Sequence, residues 1–267
     1  MTAPLADYVA IRGGVPLRGE VAIAGSKNAA LPILAATLCA PGRHILHNVP
    51  DLLDVQVFLQ VLETLGAIVE RLGDTDWAID TSGLHCDHPE PPQDLIGKMR
   101  ASVLVMGPLL GRCGRAEVSV PGGCSLGKRP INFHLAGFER MGARLIPHNG
   151  TMAVNAPDGL VGAEIDLPLA SVGATENLLM AAVLARGTTI IRNAAREPEV
   201  TDLAEFLNAM GAEITGLGTS VLTIRARRPL TAVEYSIIPD RIEAGSYLCA
   251  FANTGGQGRL THCTPSH

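Results

Sequence analysis

The forty residues Ala185–Ile224, ARGTTIIRNAAREPEVTDLAEFLNAMGAEITGLGTSVLTI, decide how the rest of the chain is read. A glycine opens a short β-branched run, an amphipathic helical stretch follows and stops at Met210-Gly-Ala, and a β-rich tail closes the segment. The same order occurs twice upstream. One copy reads APGRHILHNVP, FLQVLETLGA and AIVERLGDTDWAID; the other reads GRCGRAEVSVPGG, HLAGFERMGA and ARLIPHNGTMAV. An apolar, Ala-rich helix precedes each. The strand-opening glycines Gly42, Gly114 and Gly187 lie 72 and 73 residues apart, and the helix-ending glycines Gly66, Gly142 and Gly211 lie 76 and 69 apart. Val55, Phe58, Leu59, Leu62 and Leu65 recur at helical spacing. A glycine just past the last turn fits a left-handed C-cap, where a side chain would be strained. An α/β unit of about 70 residues is too small to bury its own faces, so the copies must pack together, helices inside and sheets outside or the reverse.

Composition sets the outer limits. Of 267 residues, 47% are hydrophobic and 18% charged, enough apolar material for a core and no mark of disorder. Aromatics are 3%, which makes the core aliphatic and excludes a stacking platform for single-stranded nucleic acid. A net charge of −5 provides no basic field for nucleic acid or anionic lipid. The apolar runs Ala29–Gly42 and Ala101–Gly111 fall short of the ~20 residues that span a bilayer, and no signal peptide is expected from MTAPLADYVAIRGG. Cys39, Cys86, Cys113, Cys124, Cys249 and Cys263 form no C-x-x-C pair, so free thiols are expected. The chain reads as a soluble, cytoplasmic α/β protein.

A fourth copy opens near Thr231, with a helix through Ile238-Pro-Asp-Arg-Ile-Glu-Ala-Gly-Ser-Tyr-Leu-Cys-Ala-Phe and a strand at Gly258-Arg-Leu-Thr-His. It has no second helix and no LGA. A divergent carboxy-terminal cap would explain this; a repeat cut short is the expectation.

One loop breaks the repeat. Strand glycine to helix glycine is 24 residues in the first and third copies and 28 in the second. The extra residues fall in Val120-Pro-Gly-Gly-Cys-Ser-Leu-Gly-Lys-Arg-Pro130, and insertions in repeats sit where function is carried. Lys128 and Arg129 beside Cys124 favour a thiolate or tune the thiol as an acid, against the plainer reading of a glycine turn with an incidental thiol. Gly122-x-x-x-x-Gly127-Lys128 matches a phosphate-binding loop only until Arg129, where a magnesium-binding Ser or Thr is required. The helix openings present Lys27 and Asn28, then Arg100, then Ser171 and Thr175, then Asp240 and Arg241 at equivalent places. Cations added to helix amino termini suit a strongly anionic ligand. His44/His47 and His85/His88 have no acidic partner pattern, so no metal and no cofactor are expected. Trp77, Glu197 and Glu199 read as surface or turn residues.

Ser26-Lys-Asn-Ala-Ala-Leu-Pro-Ile-Leu, Met99-Arg-Ala-Ser, Pro121-Gly-Gly-Cys-Ser-Leu-Gly-Lys-Arg-Pro, Ser171-Val-Gly-Ala-Thr, Asn193-Ala-Ala-Arg-Glu-Pro-Glu and Pro239-Asp-Arg-Ile-Glu together resemble the UDP-N-acetylglucosamine enolpyruvyl transferases, from about Tyr8 to Cys263. The resemblance implies an inside-out α/β barrel of three βαβαββ-like repeats plus part of a fourth, where six repeats form two domains. It divides the chain into a complete first domain, 27–234, and a partial second domain, 1–26 with 235–267. The implied reaction moves the enolpyruvyl group of phosphoenolpyruvate to the 3-hydroxyl of UDP-N-acetylglucosamine and releases phosphate. That is the first committed step of peptidoglycan synthesis, and hence of cell wall biogenesis, cell shape and cell division.

By motif, Cys124 is implied as the proton donor that can form a covalent adduct, and as the point of attack of fosfomycin. Lys27 and Asn28 would bind phosphoenolpyruvate and Arg129 its phosphate. Arg100, the stretch Arg129, Pro130, Ile131, Asn132 and Phe133, and Leu169, Ala170, Ser171 and Val172 would contact the sugar nucleotide. The loop cysteine separates this family from the 5-enolpyruvylshikimate-3-phosphate synthases, which share the fold. Family members usually carry Asp in place of Asn132, Leu in place of Phe133 and often Lys in place of Leu169. Their catalytic aspartate and further arginines lie in a second half, so the alternative expectation is an inactive fragment that at most binds UDP-N-acetylglucosamine. No oligomeric state follows from the sequence.

Overall fold

A computed structural model describes residues 10, 13–87, 100–119, 131–148, 151–226 and 229–267. The chain divides into two compact units: Gly25–Ile238, and the residues up to Ala24 with Pro239–His267. The larger unit keeps four residues beyond the expected boundary at 234, because a short strand there adds to its sheet.

The larger unit holds the three copies. The first contains α1 (Lys27–Ala36), β2 (Arg43–His47), α2 (Leu53–Thr64) and the hairpin β3 (Ile68–Arg71)–β4 (Trp77–Asp80). The second contains a 3-10 segment (Arg100–Val105) leading into α3 (Met106–Cys113), β5 (Arg115–Ser119), α4 (Asn132–Arg140) and the hairpin β6 (Arg144–His148)–β7 (Thr151–Asn155). The third contains β8 (Glu164–Asp166), α5 (Val172–Ala182), β9 (Thr188–Arg192), α6 (Pro198–Ala209) and the hairpin β10 (Glu213–Thr215)–β11 (Val221–Arg225). β12 (Glu234–Ser236) ends the unit.

Helices lie inside. In α1 every residue from Ala29 to Ala36 is buried, and in α5 every residue from Ala174 to Ala182, the signature of helices apolar on all sides. The second helices α2, α4 and α6 are buried on one face only, and the sheets alternate, as in the exposed-buried-intermediate-buried-exposed pattern of β9. This inside-out arrangement decides between the two packings left open by the sequence. Glycines let the helices approach: a Cβ on Gly107 of α3 would run into the Asn177 carbonyl oxygen, and one on Gly137 of α4 into the Leu178 side chain.

The repeat glycines have the backbone expected of them. Gly42, Gly114 and Gly187 have φ of 120°, 74° and 94°, and Gly66, Gly142 and Gly211 have 98°, 91° and 108°. Among the described residues, three that are not glycine also adopt positive φ at one repeat-equivalent place, just after β2, β9 and the last strand: Asn48, Asn193 and His262. Asn enters this conformation more readily than most residues, and here both asparagine side chains bond carbonyls far along the chain. Asn48 Nδ2 donates to the Ile237 carbonyl and Asn193 Nδ2 to the Leu167 carbonyl, each at 2.8 Å.

The strands before the first helices show a crossover that periodicity does not reveal. β8 pairs in parallel with β9 across α5, with Glu164 opposite Ile190. The equivalent place beside β2 is taken by β12, with Glu234 opposite Ile45. β1 (Arg18–Ala22), which precedes α1, pairs instead with β13 (Gln257–Thr261) in the smaller unit, Glu20 opposite Arg259. The first and fourth copies have therefore exchanged their leading strands. The smaller unit also holds α7 (Arg241–Thr254), capped by Asp240, whose Oδ1 accepts from the Ile242 and Glu243 amides.

The cysteines depart from expectation. Cys86 and Cys113 form a disulfide, with Cα atoms 5.0 Å apart, while Cys39, Cys249 and Cys263 are free thiols. The pair escapes a sequence reading because 27 residues separate it, and only the packing of α3 against the end of the first copy brings it together. No described helix is long and apolar enough to cross a membrane.

Candidate functional site

The expected contact residues sit on helix amino termini. Lys27 and Asn28 form the first turn of α1, behind the buried N-cap Ser26. Lys27 is held by Asp54 from the first turn of α2, with Nζ 2.8 Å from Oδ2. Arg100 begins the 3-10 segment that runs into α3. Ile131 is the buried N-cap of α4, Asn132 its exposed first residue and Phe133 a half-buried second, packed on the core. Leu169 and Ala170 are exposed, Ser171 caps α5 and Val172 begins it. Cys124, Arg129 and Pro130, with Lys128, lie outside the described residues.

Three of these starts, those of the 3-10 segment, α4 and α5, are joined by hydrogen bonds, and the turn before α6 is tied to them. Asn177, on the second turn of α5, donates from Nδ2 to the Val103 carbonyl at 2.8 Å, and its Oδ1 accepts from the Gly107 amide at 2.7 Å. Its Nδ2 also meets His134 Nδ1, on α4, at 3.0 Å. The His134 ring lies against Gly173 of the first turn of α5. Thr175 donates to the Ser171 carbonyl and accepts from the Ala195 amide, which ties the turn before α6 to the start of α5. Helix starts carry unpaired N–H groups and partial positive charge, so they suit phosphate and carboxylate groups.

The larger unit also buries carboxyl groups. Burial, then the charges of Glu199 and Glu197, hold the Glu176 carboxyl well above its ordinary range. Burial pushes Asp202 up to about 6, partly offset by the Tyr235 hydroxyl at 2.7 Å and the Ile238 amide at 3.3 Å. Burial lowers His44 and His134 to about 4, so both are neutral near neutrality.

Three sequence readings need correction. Glu199 is 2% exposed and belongs to α6, not to a surface turn, because Pro198 starts that helix and turns its neighbour inward. Trp77 is a half-buried strand residue beneath the Arg71 guanidinium. His47 does have acidic partners, Asp76 at 3.1 Å and Glu234 at 2.9 Å, supplied by the chain folding back rather than by local spacing. Glu234, then Asp76, raise the His47 pKa. Sequence reasoning also missed Asp54, Asn177 and His134. Only Asp54 had a local signal, an acidic residue in a helix's first turn.

The sequence model of the family described as EPSP synthase (3-phosphoshikimate 1-carboxyvinyltransferase) matches residues 11–267. The UDP-N-acetylglucosamine 1-carboxyvinyltransferase of Granulibacter bethesdensis is 51% identical over 261 residues, covering 98% of this chain and 62% of that protein. That of Cellvibrio japonicus is 50% identical over 260 residues, covering 97% and 61%. The chain thus spans about three fifths of the length of these curated relatives. Among solved structures, the enolpyruvyl transferase NikO from Streptomyces tendae superposes with a TM-score of 0.77 at 26% identity, covering 90% of this chain and 56% of that one. An EPSP synthase from Acinetobacter baumannii shares the fold at a TM-score of 0.69 and 21% identity, covering 88% and 53%.

Proposed function

Because the chain belongs to the EPSP synthase family of carboxyvinyltransferases, we propose that it takes part in transfer of the enolpyruvyl group from phosphoenolpyruvate to the 3-hydroxyl of UDP-N-acetylglucosamine, with release of phosphate. The observation that carries this reading is the 51% identity to a protein of that name over 98% of this chain.

The chemistry suits the residues. Adding the hydroxyl across the enol double bond requires a proton on the methylene carbon and removes one from the hydroxyl. Expelling phosphate then returns the methylene proton. In our reading Cys124 delivers the first proton, and Lys27 and Arg129 hold the phosphate. Lys27 and Asn28 on α1 support the phosphoenolpyruvate end. The starts of α4 and α5, with Ile131, Asn132, Phe133, Ser171 and Val172, support the sugar-nucleotide end. The same reading places the reaction in the cytoplasm at the first committed step of peptidoglycan synthesis, with Cys124 the residue fosfomycin attacks.

A second reading, binding of UDP-N-acetylglucosamine by the 267-residue chain without turnover, rests on the expected sugar-nucleotide residues at the starts of α4 and α5. Phosphate release by the 267-residue chain with both substrates, beside Cys124→Ala, separates the two. Turnover lost in the variant supports transfer. A folded chain that binds the sugar nucleotide but releases no phosphate supports binding only.

A further inference from the structure

Asn177 is fully buried, and its amide is engaged with three segments. Nδ2 has two hydrogens: one goes to the Val103 carbonyl at 2.8 Å, the other to His134 Nδ1 at 3.0 Å. Oδ1 takes the Gly107 N–H at 2.7 Å, so the orientation of the amide is fixed. An amide nitrogen cannot accept, so His134 Nδ1 is the acceptor and its proton sits on Nε2. The ring therefore works only as neutral imidazole, the state that burial favours.

These partners lie on the same elements as, and within six residues of, residues expected to touch the sugar nucleotide. His134 follows Asn132 and Phe133, Val103 follows Arg100 by three residues, and Asn177 lies six residues after Ser171. The helices are already packed by apolar contacts, such as Gly137 against Leu178 and Gly111 against Leu184. Such packing tolerates sliding, whereas a fully satisfied buried amide fixes one arrangement.

We propose that Asn177 and His134 are positioning residues of the sugar-nucleotide site, locking the starts of the 3-10 segment, α4 and α5 into the relative placement that a ligand bridging them needs. The inference rests on the substrate reading above and deepens it. A ligand with separate base, diphosphate and sugar contacts must find them within about 0.5 Å of their working positions, so a small slide of one helix weakens binding without unfolding.

The test is calorimetric titration of UDP-N-acetylglucosamine into the 267-residue chain and into Asn177→Ala, His134→Phe and Leu179→Ala, with melting curves and amide exchange on each. Leu179 is also fully buried in α5 but takes no part in the bonds, so Leu179→Ala controls for lost stability. Asn177→Ala, or His134→Phe if the first does not fold, is expected to bind at least tenfold more weakly, with faster exchange in 131–138 and 100–107. Leu179→Ala is expected to stay within twofold at a similar melting loss. Equal weakening in Leu179→Ala, or binding within twofold in the folded hub variants, overturns the proposal. If the unaltered chain binds no sugar nucleotide, the substrate reading fails. Amide exchange then decides the positioning role, and unchanged exchange in those segments overturns it.

Discussion

Lys27 Nζ lies 2.8 Å from Asp54 Oδ2, so the cation expected to meet phosphate is already held by an anion from the next helix. Both side chains are more than a third exposed, and exposed pairs contribute at most about 1 kcal/mol. The pair aims Lys27 rather than stabilising the fold. Lys27→Met is expected to shift the unfolding free energy by under about 1 kcal/mol while abolishing phosphoenolpyruvate-dependent modification of Cys124. Asp54→Asn is expected to keep the fold and weaken that modification by less. Mass spectrometry of the adduct, beside denaturant melts, reads both.

Acid stability should carry the mark of two histidines. His44 and His134 fall from 6.5 to about 4 on folding, so the unfolded chain binds their protons first. Their stabilising effect is complete above pH 6.5 and is lost as pH falls to 4, roughly 3 kcal/mol for each. Asp202 works the other way: raised from 3.8 to about 6, it favours the folded state most below 3.8 and loses that effect as pH rises to 6. Glu176, raised by burial, acts in the same direction as Asp202, so the comparison between chains is the test: in urea unfolding between pH 4 and 6, acidification should cost Asp202→Asn more stability than it costs the unaltered chain. A shallower slope in that variant would contradict the assignment.

The Cys86–Cys113 bond closes a loop of 27 residues, which in the chain-entropy account stabilises by roughly 3–4 kcal/mol. Reduction, or Cys86→Ser with Cys113→Ser, is expected to lower the melting temperature. Mass spectrometry should find this pair and no other among Cys39, Cys86, Cys113, Cys249 and Cys263. An unchanged melting curve with dithiothreitol would remove the bond from the stability account. With a disulfide present, cysteine usage no longer argues for a reducing compartment.

At Asn193 the backbone has a φ of 53°, and the side chain bonds the Leu167 carbonyl at 2.8 Å. Asn193→Ala loses the bond and keeps the strained backbone; Asn193→Gly loses the bond and relieves the strain. The alanine variant should be the less stable of the two, by about 1 kcal/mol in chemical denaturation. Equal losses would show that the backbone conformation costs nothing here.

The repeat was legible because its marks are local. The periodicity of Val55, Phe58, Leu59 and Leu62 and the glycines at Gly66, Gly142 and Gly211 follow from helix geometry and left-handed caps. The Ala-rich first helices likewise declare themselves inner elements. The exchanged strands β1 and β12 were not legible, since strands of five and three residues show little alternation and their partners lie far along the chain. The site divides the same way. Lys27, Asn28 and Ser171 stand out through motif and helix start, whereas Asn177 and His134 read as ordinary helix residues until packing brings their polar atoms together.

α7 supplies the last prediction. It is the fourth copy's counterpart of α1 and α5, which are buried almost throughout, yet none of its own residues is buried. Ile242 is 51% and Leu248 59% exposed, and Leu248 lines a cavity of about 480 Å³ with Leu260 and Pro265. Helices stay formed in water mainly through tertiary packing, so α7 lacks what protects its counterparts. Amide exchange in the 267-residue chain should be much faster in 241–254 than in 172–182. The uncovered apolar surface should also drive association as concentration rises. Leu248→Lys is expected to reduce that association and leave exchange in α5 unchanged. A monodisperse monomer by gel filtration, with α7 as protected as α5, would show that the helix is stable without cover.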